Sequence, residues 1–418
     1  MNCRLKKYLV SSKKFGIFGA GLSGLGATYL CKCLGYNYDL LDEHKGDNRI
    51  PRFDNYAICI FSPGFPQSHK WVQEAHRYGC LCINEIDFAM SCCRNPLIAV
   101  TGTNGKTSTV ELITLLLNNN GQSALAVGNN GTVLSGVIAE NKITESTILV
   151  CEISSFQAET LRFLAPICTL WTNIASDHIN YHGSFENYFL AKKNLLKLTR
   201  GPIICGAELK RYLTATNSLI FAEPISNLKG WLNKFSVCFS FGQRENFALL
   251  KKFAENFNIP VSVLEKTLNE FLQPAHRLHC CFKLDDVEYW NDSKGTNLHA
   301  VLAALESLKS YKKVGWILGG KSKGEDLQTF AEAFNRYPNV ESIYLIGETG
   351  KLLYTMRDLF KARLIYCESL ENVFLECRKY FEMQALVLSP GFASWDQFKS
   401  FEERGECFEK LAKKLNFY

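Results

Sequence analysis

Short apolar runs alternate with amphipathic stretches along most of the chain. Runs such as FGIFG, ICIF, LIAV and ILVCE fit buried strands, whereas FENYFLAKKNLLKL and LQTFAEAFNR repeat apolar residues at helical spacing. Strands that alternate with helices are typical of parallel sheets covered by helices. The pattern therefore predicts an α/β protein.

The chain is 418 residues long, which is too much for a single core. We predict three domains, 1–93, 94–274 and 275–418, each a mostly parallel sheet with flanking helices. The third opens with LHCCFKL and VEYWND, two alternating runs that predict a hairpin. With 47% apolar and 21% charged residues, each domain has enough apolar residues to form a core.

Charge and cysteine usage exclude several classes. The net charge is only +6 without a long Lys/Arg run, so nucleic acid is not expected as a partner. Lysines interrupt the N-terminal segment, which is unlike a signal peptide, and no apolar run reaches about 18 residues. We therefore expect a cytoplasmic protein without membrane insertion. The 17 cysteines form no C-x-x-C pair, which favours buried, reduced thiols over zinc.

The stretch LIAVTGTNGKTSTVELITLLL (97–117) has the order strand, glycine loop, helix that holds phosphate groups. Gly102 and Gly105 allow the backbone N–H groups to face the phosphates, Lys106 would reach the β/γ oxygens, and the Thr107 hydroxyl would bind Mg²⁺. Position 100 is Val, where the strict motif has Gly. The predicted nucleotide contacts are Gly102, Thr103, Asn104, Gly105, Lys106, Thr107 and Ser108. The middle domain is thus expected to be P-loop ATPase-like.

Polar residues follow further strands of the middle domain. Glu152 ends ILVCE, where a carboxylate would ligate Mg²⁺ opposite Thr107. His178, after Asp177, is a candidate contact to a phosphorylated intermediate, and Asn129 lies on a glycine-bounded turn that could face the same cavity. Lys192 and Lys193 have the spacing of a solvated helix face.

The first domain carries G-x-G-x-x-G at 19–24, between a strand and a helix, so we expect a Rossmann-like domain. Asp42 and Glu43 follow about 20 residues later, where a ribose-binding acid would lie. Ser62 and Gly64 could line the same crevice. The motif alone is compatible with NAD, but a different nucleotide-like ligand is favoured because a complete second nucleotide loop follows.

The third domain also presents polar loops at strand ends, where ligands of wound sheets bind. Asp292, Lys294 and Thr296 follow VEYWN, Lys321 follows WILGG, and SPGFASWDQF follows ALVL. We therefore predict a second Rossmann-like domain.

Several runs together resemble the Mur ligase family: TGTNGKTS, CEISSFQ, DH at 177–178, PAHR, NDSKGTN, GGK and LSPGFASWDQFKSFEERG. They occur in family order through all three domains. The resemblance implies that ATP phosphorylates the L-alanine carboxylate of UDP-N-acetylmuramoyl-L-alanine and that the D-glutamate amine then displaces phosphate. This is a step of cytoplasmic peptidoglycan precursor synthesis, and the family works with Mg²⁺, here expected as two ions.

The resemblance also implies residue roles. Lys106, His178 and Lys192 would be catalytic; Lys192 would be carbamylated and would ligate Mg²⁺ with Thr107, Glu152 and His178. The adenosine would lie by Asn246, Arg277 and Asp292. The UDP substrate would contact Leu22, Ser23, Asp42, Ser62, Gly64 and Asn129, and the amino-acid site would contain Lys294, Thr296, Lys321, Ser394 and Phe401.

Alternatives stay open from sequence alone. Within the family, the chain could add a different amino acid or act as a folate polyglutamate ligase. From other classes, a nicotinamide dehydrogenase would use only the first glycine loop, and a nucleotide switch would not turn over substrate. We expect a monomer.

Overall fold

The computed structural model describes residues 14–44, 50–214, 218–232, 241–272, 274–377 and 383–415. Within these ranges the predicted fold class is confirmed, because three sheets, parallel except for one hairpin, are each flanked by helices. The N-terminal segment that we judged unlike a signal peptide lies largely outside them. In the described ranges no helix combines the length and the hydropathy needed to cross a membrane.

The first sheet has four parallel strands in the order β2-β1-β3-β4. Its strands are β1 (Lys14–Phe18), β2 (Tyr38–Leu41), β3 (Tyr56–Phe61) and β4 (Leu81–Ile83), and its helices are α1 (Leu22–Cys33), α2 (Lys70–Arg77) and α3 (Glu85–Cys92). A 3₁₀ helix covers Phe53–Asn55.

The second sheet has six parallel strands in the order β10-β9-β8-β5-β7-β6. Its central strand β5 is buried at every position, as expected for a parallel strand covered on both faces. The strands are β5 (Leu97–Thr101), β6 (Ala124–Gly128), β7 (Ile148–Glu152), β8 (Cys168–Trp171), β9 (Ile203–Cys205) and β10 (Leu219–Phe221).

Gly105 is the N-cap residue of α4 (Lys106–Asn119). Ser154 and Gln157 form a capping box at the start of α6. The helices are α4 (Lys106–Asn119), α5 (Leu134–Ala139), α6 (Ser155–Thr160), α7 (Ile179–His182), α8 (Phe185–Leu198), α9 (Ile225–Leu232), α10 (Phe241–Asn256) and α11 (Val261–Glu270), with a 3₁₀ helix at Ala207–Arg211. Pro260 separates α10 from α11.

The third sheet has the order β11-β12-β16-β13-β14-β15, parallel except for the β11–β12 hairpin. Its strands are β11 (His279–Leu284), β12 (Val287–Asn291), β13 (Val314–Gly319), β14 (Val340–Ile346), β15 (Arg363–Glu368) and β16 (Ala385–Gly391). Its helices are α12 (Leu298–Ser307), α13 (Gln328–Phe334), α14 (Gly347–Thr355), α15 (Leu370–Cys377) and α16 (Phe401–Lys414), with a 3₁₀ helix at Arg357–Leu359.

By compactness the chain divides into two units. The first draws on Met1–Ile174, Glu186–Phe235 and Asn246–Phe271, and therefore contains the first two sheets. The second draws on Ala175–Phe185, Ser236–Glu245 and Leu272–Tyr418 and contains the third sheet. Each sheet lies inside one of our three predicted domains, while the exact boundaries stay predictions.

Inside the first unit, the start of α3 joins the first sheet to the helices of the second. Asn84 Nδ2 donates to Gln157 O at 2.9 Å and to Thr160 Oγ1 at 3.0 Å. The buried carboxylate of Glu85 accepts the backbone N–H of Ser135 at 2.6 Å, in the first turn of α5. These bonds satisfy groups that burial would otherwise leave unpaired.

Asp87 completes this junction. Its carboxylate accepts three consecutive backbone N–H groups beyond α6, from Arg162 at 2.7 Å, Phe163 at 3.0 Å and Leu164 at 2.8 Å. Apolar side chains of both sheets, including Phe15, share one core cluster around it. The first two sheets are therefore held together by polar and apolar contacts alike.

The cysteines of the described ranges are free thiols, most of them buried or half-buried. Burial raises the pKa of Cys205 to about 12, so this thiol stays protonated at neutral pH. Cys33 and Cys280 are exceptions, because their side chains are exposed.

Candidate active site

The glycine loop between β5 and α4 is packed so tightly that two of its positions admit no side chain. A Cβ atom added at Gly102, where φ is +150°, would lie 1.8 Å from Thr172 Oγ1. One added at Gly105, where φ is +79°, would lie 2.4 Å from Asn246 Oδ1. Both positions therefore require glycine, and the loop leads into the N-terminus of α4, where the helix dipole favours negative charge.

Two polar residues after β8 hold this loop in shape. The Thr172 hydroxyl donates to Asn104 O at 2.6 Å, and the Asn104 amide donates to Asn173 Oδ1 at 2.9 Å. The Thr103 amide donates to Asn173 O at 3.1 Å. The loop is therefore ordered before a phosphate arrives, which lowers the entropic cost of binding.

Two lysine side chains converge on the carbonyl oxygen of Gly102. Lys106 Nζ donates to it at 3.0 Å and also to Thr103 O at 2.8 Å, and Lys192 Nζ donates to it at 2.8 Å. Positive charges gathered at one loop attract a polyanion such as a triphosphate. The arrangement suits phosphoryl chemistry, which depends on positioning and charge neutralisation.

The helical pattern predicts that Lys192 and Lys193 face solvent, and for Lys192 this is wrong. Lys192 is 1% exposed, and its ammonium lies 4.8 Å from the centre of the Tyr188 ring. The Gly102 carbonyl and the Tyr188 ring make this burial tolerable. Lys193 is half-buried, with its ammonium over the Phe189 ring. Carbamylation of Lys192 stays a prediction.

Glu152, at the end of β7, contacts two other predicted site residues. Its Oε2 accepts a hydrogen bond from Thr107 Oγ1 at 2.7 Å, and its Oε1 accepts one from Asn129 Nδ2 at 3.1 Å. A carboxylate beside a hydroxyl suits Mg²⁺, which prefers oxygen ligands and shares its shell with phosphates. In the described ranges no three His, Cys, Asp or Glu side chains form a metal-binding group. The Thr107–Glu152 pair therefore fits Mg²⁺ in combination with phosphate oxygens or water.

In the first sheet, the glycine loop after β1 is closed by Asp42. Asp42 Oδ2 accepts the backbone N–H of Ala20 at 2.6 Å, and the Ser62 hydroxyl donates to Gly19 O at 3.5 Å. Both side chains therefore lie against the loop. Nearby in sequence, Leu22 and Gly64 are exposed and Ser23 is half-buried.

Asp177 and His178 belong to the second unit, in the segment Ala175–Phe185. Asp177 accepts hydrogen bonds from Lys323 Nζ at 3.1 Å and Asn297 Nδ2 at 3.2 Å, and the Asp177 and Lys323 side chains are each 8% exposed. Burial acts to raise the pKa of Asp177, but the charges of Lys323 and His178 outweigh it and hold that pKa below its usual value. His178 has a positive φ of +54°, and its Nε2 lies 3.7 Å from Asp177 Oδ2.

Asp292, directly after β12, is a buried carboxyl group. Its Oδ2 accepts the Ser389 hydroxyl at 2.7 Å and its Oδ1 accepts the Leu278 amide at 3.1 Å. Burial raises the pKa of Asp292 to about 7, although Ser389, Arg277, the Leu278 amide and Arg404 act to lower it. This carboxyl group therefore titrates near neutral pH.

The residues predicted to bind the amino-acid substrate belong to the second unit and lie on loops that contact one another. Lys294 Nζ lies 4.7 Å from the centre of the Phe401 ring. The Lys321 amide donates to Ala393 O at 2.8 Å and the Ala393 amide donates back to Lys321 O at 3.1 Å. This pairing places Lys321 beside the loop that carries Ser394, which is buried.

Thr296 and Lys321 have further partners. The Thr296 amide donates to Lys294 O at 3.0 Å, and Lys323 Nζ reaches Thr296 O at 3.5 Å. Lys321 Nζ donates to Glu348 Oε2 at 2.5 Å, and this hydrogen bond raises the pKa of the exposed Lys321.

Comparisons with known proteins agree with this geometry. The family model described as the Mur ligase middle domain matches residues 100–218. The UDP-N-acetylmuramoylalanine--D-glutamate ligase of Pelotomaculum thermopropionicum is 31% identical over 96% of this chain and 98% of that relative. The chain belongs to the Mur ligase family. The enzyme of the same name from Caldicellulosiruptor saccharolyticus is 29% identical over 96% of this chain and 99% of the relative.

Solved structures share the fold of this Mur ligase. The MurF ligase of Thermotoga maritima, solved with ADP, has a TM-score of 0.62 at 15% identity and covers 98% of this chain and 97% of its own. The UDP-N-acetylmuramate-alanine ligase MurC of Thermotoga maritima has a TM-score of 0.60 at 15% identity, with 96% and 99% covered.

In the first unit of this Mur ligase, most predicted nucleotide and metal residues come together. They are Gly102, Thr103, Asn104, Gly105, Lys106, Thr107, Glu152, Lys192 and Asn246. Asn129, predicted as a contact to the UDP substrate, joins them through its hydrogen bond to Glu152. Ser108 is buried in the first turn of α4. His178, Arg277 and Asp292 lie in the second unit, so their roles stay predictions.

Four well-bonded residues of this Mur ligase were not among the predicted site residues. Thr172 and Asn173 support the glycine loop between β5 and α4, and a Thr-Asn pair at the end of a strand beside β5 was an available signal. Lys323 and Arg404 are buried in the second unit by contacts from distant segments. No local pattern distinguishes them from surface residues.

Proposed function

We propose that this chain joins D-glutamate to UDP-N-acetylmuramoyl-L-alanine at the expense of ATP, which leaves as ADP and phosphate. The L-alanine carboxylate takes the γ-phosphoryl group, and the bond from γ-phosphorus to ADP breaks. The D-glutamate nitrogen then bonds to the carbonyl carbon, and the C–O bond to phosphate breaks. The product is the amide-linked precursor for the next step of peptidoglycan synthesis.

One observation carries the proposal: Lys106, Lys192 and the Thr107–Glu152 pair surround a glycine loop in a chain 31% identical to a named D-glutamate ligase. A nicotinamide dehydrogenase would use only the first glycine loop, so this cluster would have no role in its reaction. The names of the relatives reported above favour D-glutamate over another amino acid or a folate substrate.

The side chains of the first unit divide the chemical work. Lys106 leaves the Gly102 and Thr103 carbonyls and follows the charge that develops on the transferred phosphoryl group. Glu152 and the Thr107 hydroxyl would hold Mg²⁺, which neutralises phosphate charge. Lys192, if carbamylated, and His178 would hold a second ion. Asn129 orients the Glu152 carboxylate.

In this proposal the three predicted domains take three ligands. Residues 1–93 hold the UDP moiety at the loop closed by Asp42, with Leu22, Ser23, Ser62 and Gly64 around it. Residues 94–274 hold the triphosphate, with Asn246 beside the loop and Arg277 and Asp292 by the adenosine. Residues 275–418 hold the amino acid by Lys294, Thr296, Lys321, Ser394 and Phe401, whose cations and hydroxyls suit its carboxylates.

The proposal is tested by coupled phosphate release. Release should require ATP, Mg²⁺, UDP-N-acetylmuramoyl-L-alanine and D-glutamate together, and a panel of other amino acids should give little turnover. Lys106→Ala should lower kcat by about 10²–10³-fold, since it removes a charge contact to the transition state. Lys193→Ala is the matched control, because this lysine lies over Phe189 and not on the loop.

Two results would contradict the proposal. Turnover with a different amino acid in place of D-glutamate would assign another ligation, and nucleotide binding without phosphate release would indicate a switch. Near-normal turnover by Lys106→Ala would refute the nucleotide site itself.

The same proposal includes cellular context. ATP and UDP-linked sugar acids are cytoplasmic metabolites, so the enzyme would act in the cytoplasm. We also propose that it acts as a monomer. Sedimentation of the protein with and without substrates checks the monomer, and the Mg²⁺ dependence of the rate at fixed ATP checks whether a second ion is needed.

A further inference from the structure

Arg404, on α16, is a buried arginine that the proposed mechanism leaves without a role. It is 1% exposed. Its Nε donates to Ser293 Oγ at 3.0 Å and its Nη2 to Ser293 O at 2.8 Å. Nη1 and Nη2 donate to Phe392 O at 3.2 Å and 3.1 Å. The planar guanidinium therefore bridges two loops that are about 100 positions apart in sequence, a reach that its fork geometry permits.

Buried cations are usually paired with a carboxylate, and Arg404 is held differently. Its hydrogen bonds run to one hydroxyl and two carbonyl oxygens, and within the described ranges no carboxylate forms an ion pair with it. Burial lowers the pKa of Arg404 to about 10, although Asp396 and Asp292 act to raise it. An apolar side chain of similar volume would leave the Ser293 and Phe392 carbonyl oxygens without these donors.

The loops that Arg404 joins are those of the proposed amino-acid site. Ser293 also donates from Oγ to Phe401 O at 2.8 Å, which links the same loop to the start of α16. A third loop is close, since a Cβ added at Gly320 would lie 3.2 Å from Arg404 Nη1 and 2.2 Å from Ala393 O. Each contact is at, or one or two residues from, a proposed substrate residue: Lys294, Lys321, Ser394 or Phe401.

The geometry points to Arg404 as a positioning residue that fixes these three loops in the arrangement that receives the amino-acid substrate. This inference rests on the proposed function, because it takes the loops to form the amino-acid site. Arg404 itself does not touch substrate. Its fork holds the Ser293 and Phe392 carbonyls at a set separation, which a point charge such as a lysine ammonium cannot do.

The experiment compares Arg404→Lys and Arg404→Ala with Arg336→Ala, an exposed arginine of the same unit. A displacement of about 1 Å in such loops costs about 10²-fold, so both Arg404 variants should raise the KM for D-glutamate at least about tenfold. The KM for the UDP substrate, bound by the first unit, should change less than about twofold. Millimolar guanidinium should restore part of the D-glutamate affinity of Arg404→Ala, and equimolar urea should not.

Hydrogen exchange supplies a readout that does not depend on turnover. Peptides covering 318–324 and 389–398 should exchange faster in both Arg404 variants, because the Lys321–Ala393 pairing loosens, while peptides from β14 keep their protection. Ser293→Ala, which keeps the guanidinium and removes one link, should show a smaller change of the same kind. The Ser293→Ala variant also provides this exchange measurement if the Arg404 variants do not fold.

The outcomes separate the two proposals. Unchanged exchange in both loops overturns the positioning role, whatever the activity. A KM that rises equally for all substrates, or full function in Arg404→Lys, also overturns it. Faster loop exchange in an enzyme whose wild type does not use D-glutamate leaves the positioning of the loops intact and removes only the proposed substrate.

Discussion

The buried carboxyl group of Asp292 should make the stability of the second unit depend on pH in an unusual direction. Burial raises its pKa from 3.8 to about 7 in the folded protein. Between these values the folded state keeps a proton that the unfolded state has released. The free energy of unfolding must therefore fall as pH rises through this window, and linkage sets the total loss at about 4 kcal/mol.

Asp292→Asn isolates this contribution because it keeps the shape of the side chain and removes its titration. We expect the unfolding free energy of the wild type minus that of the variant to fall by about 1.4 kcal/mol per pH unit between pH 5 and about 7. All other titrating groups are common to both proteins and cancel. Native-state hydrogen exchange of β12 and β16 peptides, corrected for intrinsic rates, reports the second unit alone.

Two results would refute the reasoning. A difference that is flat with pH would mean that Asp292 has an ordinary pKa in the fold. A difference that rises with pH below about pH 4 and is flat above it would mean that the Ser389 hydroxyl, the Arg277 charge and the Leu278 amide outweigh burial and keep the carboxylate ionised.

Three further perturbations address the first unit. Gly102→Ala should abolish ATP binding measured by calorimetry, because its Cβ would lie 1.8 Å from Thr172 Oγ1; normal affinity would show that the loop tolerates a side chain. Lys192→Ala should regain part of its activity with added formate or acetate if the lysine is carbamylated, with Lys193→Ala as the control, and a lack of rescue would leave carbamylation unsupported. Asp87→Ala leaves three backbone N–H groups without their acceptor and should cost about 3 kcal/mol or more, seen as a lower Tm; a Tm equal to that of the exposed Asp54→Ala variant would contradict the role of the junction.

Local patterns were sufficient for the fold class and for the glycine loop between β5 and α4. The glycine loop could be recognised because strand, turn and helix are contiguous, so Gly102 to Thr107 needed no distant information. Glu152 could be placed beside Thr107 because the carboxyl ends of parallel strands meet at one edge of a sheet. The β11–β12 hairpin followed from alternation in the same way.

Contacts between distant segments were not accessible to the same reasoning. Lys192 has the spacing of an exposed helix face, but its ammonium is buried and donates to the Gly102 carbonyl, 90 positions away. Asp177 and Lys323 are 146 positions apart, and Arg404 lies in a charged stretch, EERGE, typical of a surface helix. A charge is buried only where several loops supply acceptors, and one-dimensional patterns carry no record of those acceptors.

The bonds of Asn84, Glu85 and Asp87 have a consequence for how a long substrate is recognised. They tie the first glycine loop and the phosphate loop to one frame, so the spacing between the two is set during folding and not by the ligand. A sugar nucleotide whose carboxylate lies too near to its uridine, or too far from it, would fit poorly, because this frame would not rearrange to compensate. Substrate length would thereby be selected by the scaffold, separately from the chemistry of either end.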